Sequence, residues 1–206
     1  MSQRVAILGG TFDPIHLGHL AIAADVQHAI QADRVLFVPA AQQPFKVGVP
    51  VTPATDRLQM ARAAVADNPA FEVSTIEIDR GGVSYTTDTV AQLRELLPAT
   101  ELFLIVGADA ATDLPRWHQA ERLIRLCRVV IVARPGYQVD MNRFYAELPA
   151  ARERLLLVPG PAFNISASEI RQRIREGRPV RYHLPSAVYT YLRQRRLYES
   201  SSDVSA

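Results

Sequence analysis

Between residues 9 and 19 the chain runs Gly9-Gly10-Thr11-Phe12-Asp13-Pro14-Ile15-His16-Leu17-Gly18-His19. Adjacent glycines expose backbone N–H groups and let a ligand come close to the main chain. His16 and His19 are three positions apart, so in a first helical turn both imidazoles leave the same face. The stretch follows a short apolar run and leads into a helical pattern, which puts that face at the positive end of a helix dipole. Such a terminus favours an anion by about 0.3–1 kcal/mol before any side chain acts. The chemistry is phosphate binding. Two other readings compete: a structural turn with locally bonded histidines, and a zinc site from Asp13, His16 and His19, whose i, i+3 imidazoles can converge. Two glycines at a strand–helix junction have no purpose in a zinc site. Neither the dinucleotide fingerprint nor a Walker loop is present, and the single lysine, Lys46, lies far downstream.

A second helix start has the same character. In Asn164-Ile165-Ser166-Ala167-Ser168-Glu169-Ile170-Arg171, Ser166 and Glu169 match a capping box. Alone this is an ordinary helix start. It too follows an apolar run, however, and adds two hydroxyls and Arg171 one turn in. Elsewhere Trp117, the single tryptophan, sits in Leu114-Pro115-Arg116-Trp117-His118. Tryptophan is more often a core residue, but this polar neighbourhood suits a planar face that stacks on a heterocycle. Cys127 reads as core.

The elements that must carry these groups form a regular series. Val5–Leu8, Val35–Val38, Leu102–Val106, Val129–Val132 and Leu155–Val158 are short apolar runs, the pattern of strands covered on both faces. Phe71–Ile78 alternates and is expected to be a less buried strand. Helical periods lie between them, with Ile22, Val26, Ala29 and Ile30 on one stripe and Leu58, Ala61 and Val65 on another. Helices are also expected over Val90–Leu97, within Met141–Arg154 and over Ser186–Arg196. The alternation predicts an α/β fold: a doubly wound, Rossmann-like, mostly parallel sheet with helices on both faces. We expect one domain over 1–206 with a C-terminal helical extension from about 177. Pro39–Pro53 is a long, proline-rich loop with no period, and the Ser-rich tail from Ser200 is expected to fray.

Composition narrows the partners. The chain has 206 residues, 48% hydrophobic, with a net charge of +2 and one cysteine. A core of ordinary size needs no disulfides, and a lone cysteine fits a reducing compartment. Val5–Leu8 is too short for a signal-peptide core, and no run reaches a membrane span, so a cytoplasmic protein without membrane partners is expected. Of the 23 basic residues 22 are arginine, which reads as genomic composition. The arginines from Arg171 to Arg196 lack the charge excess of a nucleic-acid site. They form a solvated or intersubunit surface, compatible with a homo-oligomer.

The eleven-residue segment resembles the signature of the H-x-G-H nucleotidyltransferase superfamily, and I-S-A-S-E-I-R resembles its second motif, with Ala167 at a usual hydroxyl position. Ser84-Tyr85-Thr86-Thr87-Asp88-Thr89, Gly107-Ala108-Asp109 and L-P-R-W-H are similar to bacterial nicotinate-nucleotide adenylyltransferases. The resemblance, from about Val5 to Arg171, implies transfer of the adenylyl group of ATP to nicotinate mononucleotide, with pyrophosphate leaving and Mg2+ accompanying ATP; no residue is assigned as a metal ligand. It implies that His16 and His19 are catalytic. It implies ATP contacts from Gly9, Gly10, Thr11, Phe12, Gly107, Asp109, Ile165, Ser166, Ser168 and Arg171. Tyr85, Thr86, Trp117 and His118 would receive the pyridine and its carboxylate, with Lys46 and Arg134 as further substrate contacts. The family often carries a P-H-K element where this chain has Pro44-Phe45-Lys46. Alternatives are the amidated acceptor nicotinamide mononucleotide, another phosphate acceptor, or a nucleotide sensor without turnover.

Overall fold

The computed structural model describes residues 2–44, 50–133, 140–162 and 164–199. Six strands, β1 (Arg4–Gly10), β2 (Arg34–Pro39), β3 (Phe71–Val73), β4 (Glu101–Gly107), β5 (Arg128–Ala133) and β6 (Leu155–Pro159), form one parallel sheet in the order β3-β2-β1-β4-β5-β6. Helices α1 (Leu17–Ile30), α2 (Ala54–Val65), α3 (Ile76–Arg80), α4 (Thr86–Leu96), α5 (Ala108–Ala111), α6 (Ala120–Leu126), α7 (Met141–Glu147), α8 (Ala167–Arg175) and α9 (Ser186–Gln194) connect or follow them. This is the expected doubly wound fold.

The strand residues alternate between two cores. Ala6, Leu8, Val35, Phe37, Phe103, Ile105 and Val130 face α1, α2, α8 and α9. Val5, Ile7, Leu36, Leu102, Leu104, Val129 and Ile131 face α3 to α7. Cover on both sides is the reason these strands are unbroken apolar runs rather than alternating ones. The order of the strands reverses between β1 and β4, so their carboxyl ends diverge and leave a crevice there.

Four expectations need correction. Phe71–Ile78 is not one strand: pairing ends at Val73, and Ile76 begins α3. β6 is an edge strand whose Leu157, 59% exposed, belongs to neither core; its apolar run mimicked a covered strand, but no helix among the described residues covers that end of the face. On α1 the buried stripe is Gly18, Ala23, Val26 and Ile30, while Ala29 is exposed. On α2 the stripe is Arg57, Met60, Ala61, Ala64 and Val65, with Leu58 only half-buried. The C-terminal part packs into the same core, with Val188 and Leu192 fully buried beneath α2. No helix among the described residues is long and apolar enough to cross a membrane.

Candidate active site

The first motif occupies the turn between β1 and α1. Phe12 has φ of +51° and is 2% exposed. A left-handed backbone costs a non-glycine residue about 1–2 kcal/mol, and burial of its ring against Phe37 opposes that cost. Its ring stands perpendicular to that of His19, with centroids 5.1 Å apart, so its side chain supports the imidazole. The chain turn places His16 at the N-cap of α1 and His19 at its third residue, with their rings stacked at 3.7 Å. Their backbone relation is equally direct. The His16 N–H donates to His19 Nδ1 at 3.2 Å, which leaves the proton of a neutral His19 on Nε2. Burial first, and then the neighbouring His16, hold the His19 pKa well below the usual histidine value. His19 is therefore a neutral N–H donor at physiological pH.

Gly18 is explained by the same packing. A Cβ there would sit 3.1 Å from His16 Nδ1 and 3.8 Å from the Ile165 carbonyl oxygen. The contact also shows that the loop before α8 reaches the histidine pair. Arg171, on α8, completes this join. Its Nη1 donates to the Asp13 carbonyl oxygen at 2.6 Å, and Nη2 to Ser168 Oγ at 3.4 Å. Ser166 caps α8 by accepting from the Glu169 N–H at 3.1 Å. The expected reciprocal half of the capping box is not made: the Glu169 carboxylate turns to Arg173 at 2.7–2.8 Å. Two helix N-termini thus meet beside the stacked histidines, and Ser166 and Ser168 are exposed there.

A cleft of about 360 Å³ opens at the β1–β4 crevice. Gly9, Gly10, Tyr85, Thr86, Gly107, Trp117 and His118 line it. A Cβ at Gly9 would point into open space, so the backbone is bared to the cleft by choice of residue and not by crowding. Asp109 is exposed in the first turn of α5, just beyond Gly107. On the far wall the Thr87 hydroxyl donates to the His118 carbonyl at 2.6 Å, and the Tyr85 and His118 rings lie 4.4 Å apart. These contacts join the N-terminus of α4 to the loop carrying Trp117, which is half-buried against the core. Thr11 is half-buried in the turn before Phe12, and its carbonyl is held by Arg57. Lys46 and Arg134 lie outside the described residues.

Three supporting residues carry no motif of their own. Arg57 is 2% exposed and donates to the carbonyls of Thr52, Thr11 and Ala41 at 2.9, 2.8 and 3.3 Å. Burial lowers its pKa, against the pull of Asp13. An arginine at the first position of an i, i+3, i+4, i+7, i+8 apolar stripe was the available sequence signal. Glu77, 7% exposed, accepts from Thr89 Oγ1 at 2.7 Å and lines the cleft. Its burial raises the carboxyl pKa. Tyr198 donates to Asp13 Oδ1 at 2.6 Å from the far end of the chain; no local pattern announces a contact over that separation. Among the described residues no group of three or more His, Cys, Asp or Glu side chains could hold a metal ion. Asp13, the carboxylate of the zinc alternative, is engaged with Tyr198 and lies 4.0 Å from Arg171. Burial pushes the Cys127 thiol up to about 12, which keeps it unreactive.

A family model described as "Cytidylyltransferase-like" matches residues 7–173, which makes the chain a cytidylyltransferase-like protein. The relatives are more specific. A protein of Roseiflexus sp. strain RS-1 named "Probable nicotinate-nucleotide adenylyltransferase" is 51% identical, covering 96% of this chain and 98% of its own. One of the same name from Thermus thermophilus is 48% identical over 95% and 100%. The chain belongs to the nicotinate-nucleotide adenylyltransferase family. Among solved structures, the nicotinic acid mononucleotide adenylyltransferase of Plasmodium falciparum complexed with NaAD superposes with a TM-score of 0.78. It is 19% identical, over 95% of this chain and 97% of that one, a likeness of fold.

Proposed function

We propose that the chain transfers the adenylyl group of ATP to nicotinate mononucleotide. An oxygen of the acceptor phosphate attacks the α-phosphorus, the bond from that phosphorus to the bridging oxygen breaks, and pyrophosphate leaves with nicotinate adenine dinucleotide as the other product. The observation that carries this reading is the convergence of three parts: the stacked histidines, the two helix N-termini and the adjacent cleft. A helix end alone favours phosphate only weakly. Two ends, a neutral N–H donor and a guanidinium together suit a triphosphate.

His16 and His19 would meet the oxygens of the α-phosphoryl group, where charge shifts as the bond to the leaving group lengthens. Preorganised donors of this kind are typically worth about 10²–10³ in rate each. Ser166, Ser168 and Arg171 would hold the β- and γ-phosphates, with the backbone of residues 9–12 and of Ile165 close to the nucleotide. Gly107 lines the cleft and Asp109 follows it, exposed, in the first turn of α5; both would contact the ribose. Tyr85, Thr86, Trp117 and His118 form a wall suited to the planar, carboxylate-bearing pyridine: stacking from Trp117 and backbone N–H groups at the start of α4. Lys46 and Arg134 remain proposed substrate contacts. Because Asp13 is already engaged, Mg2+ fits best as an ion brought by the triphosphate. It would neutralise phosphate charge there. We take residues 1–206 as one nucleotidyltransferase domain whose part from about 177 packs on the common core.

The test is pyrophosphate release with ATP and nicotinate mononucleotide, followed by detection of the dinucleotide. Turnover with this acceptor well above that with nicotinamide mononucleotide is expected. Turnover only with a different phosphate acceptor would overturn the substrate while leaving the chemistry in place.

A further inference from the structure

The segment 174–199 lies beyond the matched family model, yet one of its side chains reaches the first motif. Tyr198 Oη donates to Asp13 Oδ1 at 2.6 Å across 185 positions. Asp13 is 6% exposed, three residues before His16. Its other oxygen, Oδ2, takes the Thr52 N–H at 3.5 Å and lies 4.0 Å from Arg171 Nη1. The same Nη1 donates to the Asp13 backbone carbonyl at 2.6 Å. One aspartate therefore stands between the C-terminal phenol and the guanidinium proposed for the triphosphate.

We propose that Tyr198 is a positioning residue for the nucleotide half of the site, acting through Asp13 on Arg171. It rests on the proposed ATP site. A buried carboxylate without a donor on Oδ1 would turn both oxygens toward the nearest cation. That would draw Arg171 into a closer ion pair and away from an incoming phosphate. With Tyr198 on Oδ1, the carboxylate is divided, and Arg171 is held by the Asp13 carbonyl instead.

Two observations separate this role from simple anchoring of the C-terminus. First, α9 is secured without the Tyr198 hydroxyl. Val188 and Leu192 are fully buried, and Tyr191 Oη and Arg195 Nε both donate to Asp56 Oδ1, at 2.7 and 3.2 Å. Second, the turn after α9 adopts a left-handed backbone twice, at Arg196 and at Tyr198 with φ of +48° and +69°. Such residues cost on the order of 1–3 kcal/mol each and persist where surrounding contacts hold them. Here the strained turn delivers a phenol to the motif aspartate. Burial, and then the hydrogen bond to Asp13, raise the phenol pKa above its ordinary value, so it remains a donor.

The experiment compares the full chain with Tyr198→Phe and Tyr191→Phe, using calorimetric titration of ATP, steady-state kinetics and thermal melting. Tyr198→Phe should weaken ATP binding and raise KM for ATP by roughly 2–12-fold, the range of one ordinary net hydrogen bond, since the lost bond acts on ATP only through Asp13 and Arg171. KM for nicotinate mononucleotide should stay within about twofold, a difference too small for a lost contact. Tyr191→Phe, which removes an equivalent anchor to Asp56, should leave ATP affinity unchanged. Equal effects of the two variants on ATP, or a Tyr198→Phe variant with wild-type ATP affinity, would overturn the proposal. A wild-type chain that binds ATP but does not adenylylate the acceptor would defeat only the acceptor assignment, and the titrations would still decide the role of Tyr198.

Discussion

His19 combines three properties that a lone histidine rarely has together: a half-buried, desolvated ring, a stacked partner, and a ring nitrogen already occupied by a backbone donor. Each follows from a neighbour, Phe12, His16 or Gly18. His19→Ala should lower kcat by about 10²–10³, the usual loss for one preorganised donor, with the circular dichroism spectrum retained. Near-normal kcat would remove His19 from the mechanism. Its depressed pKa also has a stability consequence. Because the folded pKa is below the unfolded value of about 6.5, the unfolded state takes up the proton first as pH falls. The contribution of His19 is intact above pH ~6.5 and is lost progressively as pH drops toward the folded pKa. Urea midpoints at pH 7.5 and 5.5 should therefore diverge less in His19→Ala than in the parent chain.

At the scale of elements, what matters is which helix ends meet at the histidine pair. α1 and α8 both begin there, with His16 at the N-cap of one and Ser166 at the N-cap of the other. Ser166 caps α8 by accepting from the Glu169 N–H, and in the proposed triphosphate site its hydroxyl proton would be left for a phosphate. Ser166→Ala should cost about 0.5–2 kcal/mol as a lost cap. Ser166→Asp separates the tasks, since aspartate caps equally well but sets a negative charge against the triphosphate. The expected outcome is a melting temperature near wild type with a raised KM for ATP. A Ser166→Asp variant with unchanged KM would place the triphosphate elsewhere. The edge position of β6 belongs to this scale too: Leu157 is exposed because it projects from a sheet face that, among the described residues, neither core covers at that edge.

Across the whole molecule, Arg57 ties three separated segments by their carbonyls: the motif turn at Thr11, the strand exit at Ala41 and the start of α2 at Thr52. A buried cation serving carbonyls is costly to remove, because the oxygens are left without donors. Arg57→Met should destabilise by roughly 3–5 kcal/mol, read as a lowered denaturant midpoint, and should disorder the motif turn. A loss below about 1 kcal/mol would show that water replaces it readily. Local pattern was sufficient for much of this protein. Five apolar runs announced five of the strands, and the order strand–Gly-Gly–His-x-Gly-His pointed to a phosphate site at a sheet edge, because both signals come from residues adjacent in the chain. Tertiary structure decided the rest. Whether β6 is covered, why Arg57 is buried, and that Tyr198 meets Asp13 all depend on segments brought together over tens to hundreds of positions. A periodicity reports which face of an element is apolar, but not which neighbour, if any, will lie against it.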